Sequence, residues 1–289
     1  MLKADITEIR NDIKRAAIKK KTPDDEHYTC ISSERVGHVA RRFKKSGRDI
    51  EITALEQNIV PDRYIRNMKT FSPKEQIALL TSRVCVVGLG GLGGVLVEIL
   101  ARIGIGSLNL IDGDIFEDSN LNRQFLSSHP LLETAKTEAA EKRVTEINPS
   151  IAVQGHFEYL SENSADRLVK NSHVVVDCLD NIRSRFLLEK TSKKAGLPLV
   201  SAAVAGVSGH ITSIFPEDKG LSLIYGEAKN LTQKGVEVSL GCLPQAVTLI
   251  AAVEASEVVK IILKKGSLLR NKLFVIDLMD NTVAVLNLI

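Results

Sequence analysis

The chain lacks the biases that would place it in an extreme class. It has almost no excess of one charge: 38 Lys and Arg against 35 Asp and Glu leave +3. That is too little to make nucleic acid or an anionic membrane the main partner. Its four cysteines, Cys30, Cys85, Cys178 and Cys242, lie far apart and form no C-x-x-C pair. Spacing therefore supports neither a zinc ribbon nor a disulfide framework, and a reducing compartment is the simplest reading. No apolar run reaches the roughly 18 residues a membrane span needs; the longest, Leu243 to Val253, is followed by Glu254, Glu257 and Lys260. The opening stretch, MLKADITEIRNDIKRAAIKKK, is charged every few positions and has no apolar h-region. No secretory leader is expected in it, and a cytoplasmic protein without membrane attachment is expected. There is no internal repeat and no low-complexity tract, and no G-x-x-x-x-G-K-[ST], which disfavours a P-loop ATPase.

What is present is ordinary folded protein. The chain has 289 residues, 44% hydrophobic and 25% charged, enough for one large domain with an appendage or two modest domains. Residues 1–70 hold 16 basic and 11 acidic side chains, +5, which leaves −2 for the remainder. Within this basic part Ile6, Ile9 and Ile13 recur at helical spacing, TPDDE interrupts, and a second helical stretch runs from Ser33 to Lys45. Residues 1–62 are thus expected to be a small N-terminal helical segment of two or three short helices. Its basic face leaves nucleic acid open but not favoured, since such faces are usually only solvated.

From Ser82 the texture changes to α/β alternation. RVCVVG is a short β-branched run ending in glycine, VLVEILARIGI has helical spacing, and SLNLID reads as a second buried strand. Helices follow over Ala135 to Ile147, Ala165 to Lys170 and Asn181 to Ala195, alternating with strands over Ile151 to Phe157, HVVVDC and PLVSAA. The last third departs from this: GHITSIF is a strand, Pro244 to Lys264 a long helix, and Lys272 to Leu278 with Thr282 to Leu288 a hairpin. The fold class is α/β, a Rossmann-like, mostly parallel sheet with helices on both faces and a C-terminal antiparallel portion.

The chemistry starts in GLGGLGG, between the first strand and helix of this part. Gly88, Gly90 and Gly93 supply the G-x-G-x-x-G spacing, with Gly91 beside them, and a phosphate is expected on the helix N-terminus where N–H groups and the dipole favour anions. Asp112 ends the next strand, placed to accept ribose hydroxyls. This pattern indicates an adenine nucleotide and leaves NAD open. Downstream come Asp114, then SNLNRQ with Ser119, Asn120, Arg123 and Gln124, then Lys136 at a helix start. Cations here suit a triphosphate, whose β and γ charges need neutralising, better than a dinucleotide. DCLDN puts Asp177 and Asp180 at the carboxyl edge of the sheet, where one of them can hold Mg²⁺ or cap the next helix.

With these stretches in order, the sequence resembles the ThiF, MoeB and HesA family, relatives of the adenylation domain of ubiquitin-activating enzymes. RYIRN at Arg63 to Asn67, RVCVVGLGGLGG, LIDGD, SNLNRQ, Lys136 in TAKTE, INP at Ile147 to Pro149, DCLDN and PLVSAAVAGVSGHI carry the resemblance over roughly residues 62–289. It implies an adenylation domain over 63–289 that uses ATP and Mg²⁺ as a homodimer. The substrate implied is a small ubiquitin-like or sulfur-carrier protein ending in Gly-Gly, whose terminal carboxylate becomes an acyl adenylate. By the resemblance Asp112 holds the ribose, Asn120, Arg123 and Lys136 contact phosphates with Gln124 beside them, Asp180 binds or positions magnesium, and Arg66 reaches the γ-phosphate from the partner subunit. His129, His156, His173 and His210 are read as structural or solvated.

Two departures qualify the resemblance. The thiamin and molybdopterin members usually carry two C-x-x-C pairs for zinc, absent here, so no zinc is expected. Some also carry a reactive cysteine in the crossover segment, which here spans roughly Tyr225 to Gly241 with only Cys242 nearby; Cys85 and Cys178 read as packing residues. Residues 1–62 find no counterpart in the core family. Activation of a modified tRNA base or small carboxylate is the alternative within the family, and an NAD-dependent oxidoreductase the alternative outside it, though the latter leaves Arg66, Arg123 and Lys136 without a use.

Overall fold

In the computed structural model the described residues are 3–22, 25–226 and 240–289. The first part holds α1 (Lys3–Ala16), β1 (Ile18–Lys21), β2 (His27–Ile31), α2 (Ser33–Phe43), α3 (Gly47–Leu55) and β3 (Val60–Pro61). The helices expected from spacing are there, and a small sheet accompanies them: β1 pairs antiparallel with β2, and β2 parallel with β3. Strands this short carry too little alternation to be read from sequence. Ile9, Ile13, Ile31, Val36, Val39, Ile50 and Ala54 form a core of their own. Ser32 and Ser46 cap α2 and α3 by accepting from the N–H groups of Arg35 and Asp49.

A short 3₁₀ turn, Asp62–Asn67, leads to α4 (Pro73–Thr81) and then to β4 (Arg83–Val87), α5 (Gly91–Ile103), β5 (Ser107–Asp112), α6 (Lys136–Ile147) and β6 (Ala152–Phe157). After them come α7 (Ala165–Val169), β7 (Val174–Asp177), α8 (Ile182–Lys194), β8 (Leu199–Ala205) and β9 (Ser208–Ile214). The chain continues through α9 (Ser222–Tyr225), α10 (Pro244–Leu263), β10 (Lys272–Asp277) and β11 (Thr282–Asn287). The sheet order is β11-β10-β9-β8-β7-β4-β5-β6, parallel from β6 to β8 and antiparallel from β8 to β11.

The inner parallel strands β4 and β7 are almost wholly apolar because both faces are covered. On β4, Val84 and Val86 pack with Leu96 and Leu100 of α5 and Val258 of α10, whereas Cys85 and Val87 pack with Leu168 of α7 and Leu188 of α8. Connections leave β4 toward β5 on one side, and the chain later returns to β7 on the other. The β4–β7 boundary is therefore a topological switch point, and its crevice opens at the carboxyl ends of the strands. Among the described residues no helix is long and apolar enough to cross a membrane.

At the opposite end of the sheet a buried polar cluster fastens the N-terminal part. Tyr64 is fully buried; its hydroxyl donates to Glu51 Oε2 at 3.3 Å and accepts from Asn148 Nδ2 at 2.9 Å. Arg63 pairs with Glu51 at 3.5 Å and donates to Asn148 Oδ1. Two of the quoted motifs, RYIRN and INP, thus meet in one structural joint.

Candidate active site

The crevice at the switch point is a cleft of about 780 Å³ lined from the glycine loop, the end of β5, the 122–124 turn, the start of α6, the residues after β6, DCLDN and residues 240–243. Two glycines are obligatory for its floor. Gly88 has φ +95°, and a Cβ there would lie 2.5 Å from the carbonyl oxygen of Cys178; a Cβ on Gly93 would be driven into the Gly88 carbonyl. The loop can fold under β7 only without side chains at these points. Gly90, at the N-cap of α5, has no side chain to cap the first-turn N–H groups. Those groups are left for an anion in the cleft.

Asp112, at the end of β5, is held by two backbone donors: Leu89 N–H to Oδ2 at 2.7 Å and Asp114 N–H to Oδ1 at 2.8 Å. Burial raises its pKa above the ordinary carboxylate value, opposed by Lys136 and by these two N–H groups. Each oxygen keeps a lone pair, so the fixed carboxylate can accept from a diol. Lys136 is buried at the first position of α6 and donates from Nζ to Asp114 Oδ2 at 2.9 Å. The other oxygen of Asp114 accepts from the Tyr159 hydroxyl at 2.5 Å. Burial works to raise Asp114, but Tyr159 and Lys136 outweigh it and hold the carboxyl below its usual range.

The remaining expected residues divide between cleft and elsewhere. Arg123 and Gln124 line the cleft. Arg123 is half-buried, and among the described residues its hydrogen bonds run to neutral acceptors, Ser119 O at 3.0 Å and Asn122 Oδ1 at 2.9 Å. Gln124 is buried, and its Oε1 is without a hydrogen-bond partner. Such an orphaned group beside the glycine loop fits a polar ligand. Asn120 is not on the main wall: it is buried under the 3₁₀ turn 118–120, accepts from Glu117 N–H at 3.1 Å, and borders a smaller cavity of about 270 Å³ behind Asp114 and Lys136.

Of the two aspartates in DCLDN, Asp177 is fully buried and committed to Arg185 at 3.0 Å, Ser201 Oγ at 2.6 Å and Leu179 N–H at 3.1 Å. Asp180 is exposed at the cleft, with only Asn181 Nδ2 at 3.4 Å against it among the described residues. A hydrated divalent cation bound to a triphosphate suits such an accessible carboxylate. Asn181 is the cap of α8, accepting from Ser184 N–H at 2.8 Å.

Arg66 is exposed on the 62–67 turn, at the far end of the sheet. Its neighbour Tyr64 packs on Gly104 behind the C-terminus of α5, and a helix of 13 residues is about 20 Å long. Arg66 cannot serve its own chain's cleft, and any contribution must come from another copy. Cys242 is half-buried in the cleft wall, its thiol directed at Val204 O at 3.3 Å. Of the crossover segment, roughly Tyr225 to Gly241, residues 227–239 lie outside the described residues. Burial pushes the Cys85 thiol up to about 12 and raises Cys178 as well, as packing residues require.

Tyr159 was missed by sequence reasoning, because its contact with Asp114 spans 45 residues. So was Glu254, fully buried in α10 and accepting from Cys178 Sγ at 3.6 Å behind the loop. A single tyrosine after a strand and a single acid in an apolar helix offer no periodic signal.

Comparison with known proteins gives a consistent picture. Residues 62–288 match the model of the ThiF family. The chain is 34% identical over 229 residues to the SAMP-activating enzyme E1 of Haloferax volcanii, covering 76% of this chain and 83% of that protein. It is 34% identical over 225 residues to the molybdopterin-synthase adenylyltransferase of Escherichia coli, covering 75% and 88%. A structure of the microcin C7 biosynthetic enzyme MccB in complex with N-formylated MccA superposes with a TM-score of 0.67 at 20% identity, over 98% of this chain and 88% of that one. The fold likeness therefore takes in the N-terminal part, where the family model has no match.

Proposed function

The chain belongs to the ThiF family and is an ATP-dependent adenylyltransferase, and from this premise we propose that it activates the C-terminal carboxylate of a small ubiquitin-like or sulfur-carrier protein ending in Gly-Gly. The observation that carries this reading is the single cleft in which the glycine loop, Asp112, Arg123, Gln124, Lys136 and Asp180 converge. We assign residues 63–289 to the adenylation domain, residues 1–62 to an N-terminal helical segment, a homodimer to the assembly and the cytoplasm to its location.

The reaction asks for positioning and charge neutralisation. A carboxylate oxygen of the carrier attacks the α-phosphorus of ATP; the bond from that phosphorus to the α–β bridging oxygen breaks, and pyrophosphate leaves with the electron pair. No base is needed, because the carboxylate is already ionised at neutral pH. Asp112 accepts from the ribose hydroxyls and fixes the nucleoside. The α5 N-terminus faces the phosphates, and Lys136 and Arg123 offset the negative charge that develops on the leaving group. Lys136 is preoriented by Asp114, so its ammonium enters the reaction with little freedom left to lose. Gln124 can donate from Nε2 to the polyphosphate. Asp180 is the carboxylate that would hold Mg²⁺, which when bound supplies further neutralisation of the β and γ charges. Arg66 would act from the second copy.

The test is exchange of labelled pyrophosphate into ATP. It should depend on a carrier ending in Gly-Gly and fall by about a hundredfold or more in Lys136→Ala, Arg123→Ala and Asp180→Ala. Full exchange in those variants refutes the assignment.

A further inference from the structure

Tyr159 is an exposed aromatic that is nevertheless held in place. It is 68% exposed, yet both ends of its ring are fixed. The hydroxyl donates to Asp114 at 2.5 Å. At the other end, a Cβ built on Gly113 would lie 2.7, 2.7 and 2.8 Å from Cδ2, Cγ and Cδ1 of the ring. A point nearly equidistant from those three atoms is over the ring face, so one face of Tyr159 lies flat on Gly113 and any larger residue there would lift it. The opposite face is the exposed one. Tyr159 is also the only aromatic among the described residues lining the cleft.

Sheet order says what that face meets. From β4 through β5 to β6 the carboxyl ends present, in turn, the glycine loop, Asp112 and Tyr159. A nucleotide with phosphates at the loop and ribose at Asp112 must direct its base away from β4, toward β6. Gly113, the seat of the ring, directly follows Asp112. We propose that Tyr159 is a nucleotide-binding residue whose outer ring face is the stacking platform for the nucleobase of ATP, an inference that rests on the adenylyltransferase reading. Gly113 and Asp114 hold the ring without help from a base, so stacking costs little ordering entropy. Its partner is a flat heteroaromatic base, and the phosphates do not contribute to this contact.

The competing role is indirect: the hydroxyl of Tyr159 would orient Asp114, and through it Lys136, so that the residue serves the phosphates. Binding of ATP and of inorganic tripolyphosphate, both with Mg²⁺, separates the two, the second ligand being measured by its competition with ATP. Tyr159→Leu should weaken ATP about tenfold or more and leave tripolyphosphate within about twofold of wild type. Tyr159→Phe, which keeps the ring and loses the hydroxyl, should weaken ATP by less than about threefold. Equal weakening of both ligands in Tyr159→Leu, or unchanged ATP binding, overturns the platform. Failure of the wild-type protein to bind ATP overturns the adenylyltransferase reading beneath it. A melting temperature unchanged in both variants confirms that the comparison is made on folded protein.

Discussion

The two ends of the parallel sheet each carry a tyrosine bonded to a carboxylate beside a cation, and they differ in what surrounds the group. At the amino end, Tyr64 and Glu51 are fully buried, and Arg63 and Asn148 close the cluster. At the carboxyl end, Tyr159 and Asp114 stand beside Lys136 on the rim of an open cleft. Burial raises the pKa of Glu51 despite Arg63, whereas Asp114 is held low. The same residue types therefore form a joint where water is excluded and a cleft wall where it is not. Residue type does not distinguish the two clusters; accessibility does, the joint being closed to water and the other standing on an open cleft.

The contrast can be broken at either end. The largest expected effect is on turnover: Lys136→Ala should lower pyrophosphate exchange by about a hundredfold or more. Tyr64→Phe, at the joint, should leave ATP affinity unchanged. A second effect falls on both fold and site. Gly93→Ala forces a methyl into the Gly88 carbonyl; it should cost roughly 1–3 kcal/mol in chemical denaturation and weaken ATP binding together. Next, Tyr64→Phe leaves Glu51 and Asn148 short of one partner, at about 1–3 kcal/mol measured the same way. If it instead lowers exchange without lowering stability, the joint is coupled to the site.

A further effect is a pH dependence away from both ends. Burial, with Arg185 nearby, depresses the pKa of His210 from 6.5 to about 4. The folded state then resists the proton that the unfolded chain accepts, so this group's contribution to stability is intact above about 6.5 and is lost as pH falls toward about 4. Stability measured from pH 7 to 4 should fall less steeply in His210→Gln than in wild type.

The parallel part of the fold was legible because its physics is local. RVCVVG and HVVVDC are buried on both faces and read as apolar runs, whereas the cap of α8, expected at Asp177 or Asp180, is Asn181. The glycine spacing and Asp112 were legible for the same reason: a strand, a turn and a helix in sequence place them. The β1–β3 sheet was not, since a two-residue strand such as Val60–Pro61 has no period to detect. Nor was the choice between Asp177 and Asp180, three residues apart at one strand end, which turns on Arg185 and Ser201 arriving from other elements.

Sequence alone determined the class of sheet, the nucleotide loop and the set of charged side chains near it, because each follows from spacing within a few turns of chain. Tertiary structure decided which of those charges share a space. It spent Asp177 on Arg185, moved Asn120 behind the wall, sent Arg66 to the far edge, and laid Tyr159 on Gly113. These outcomes depend on which strands become neighbours, and strand order arises from packing the whole sheet between its helices.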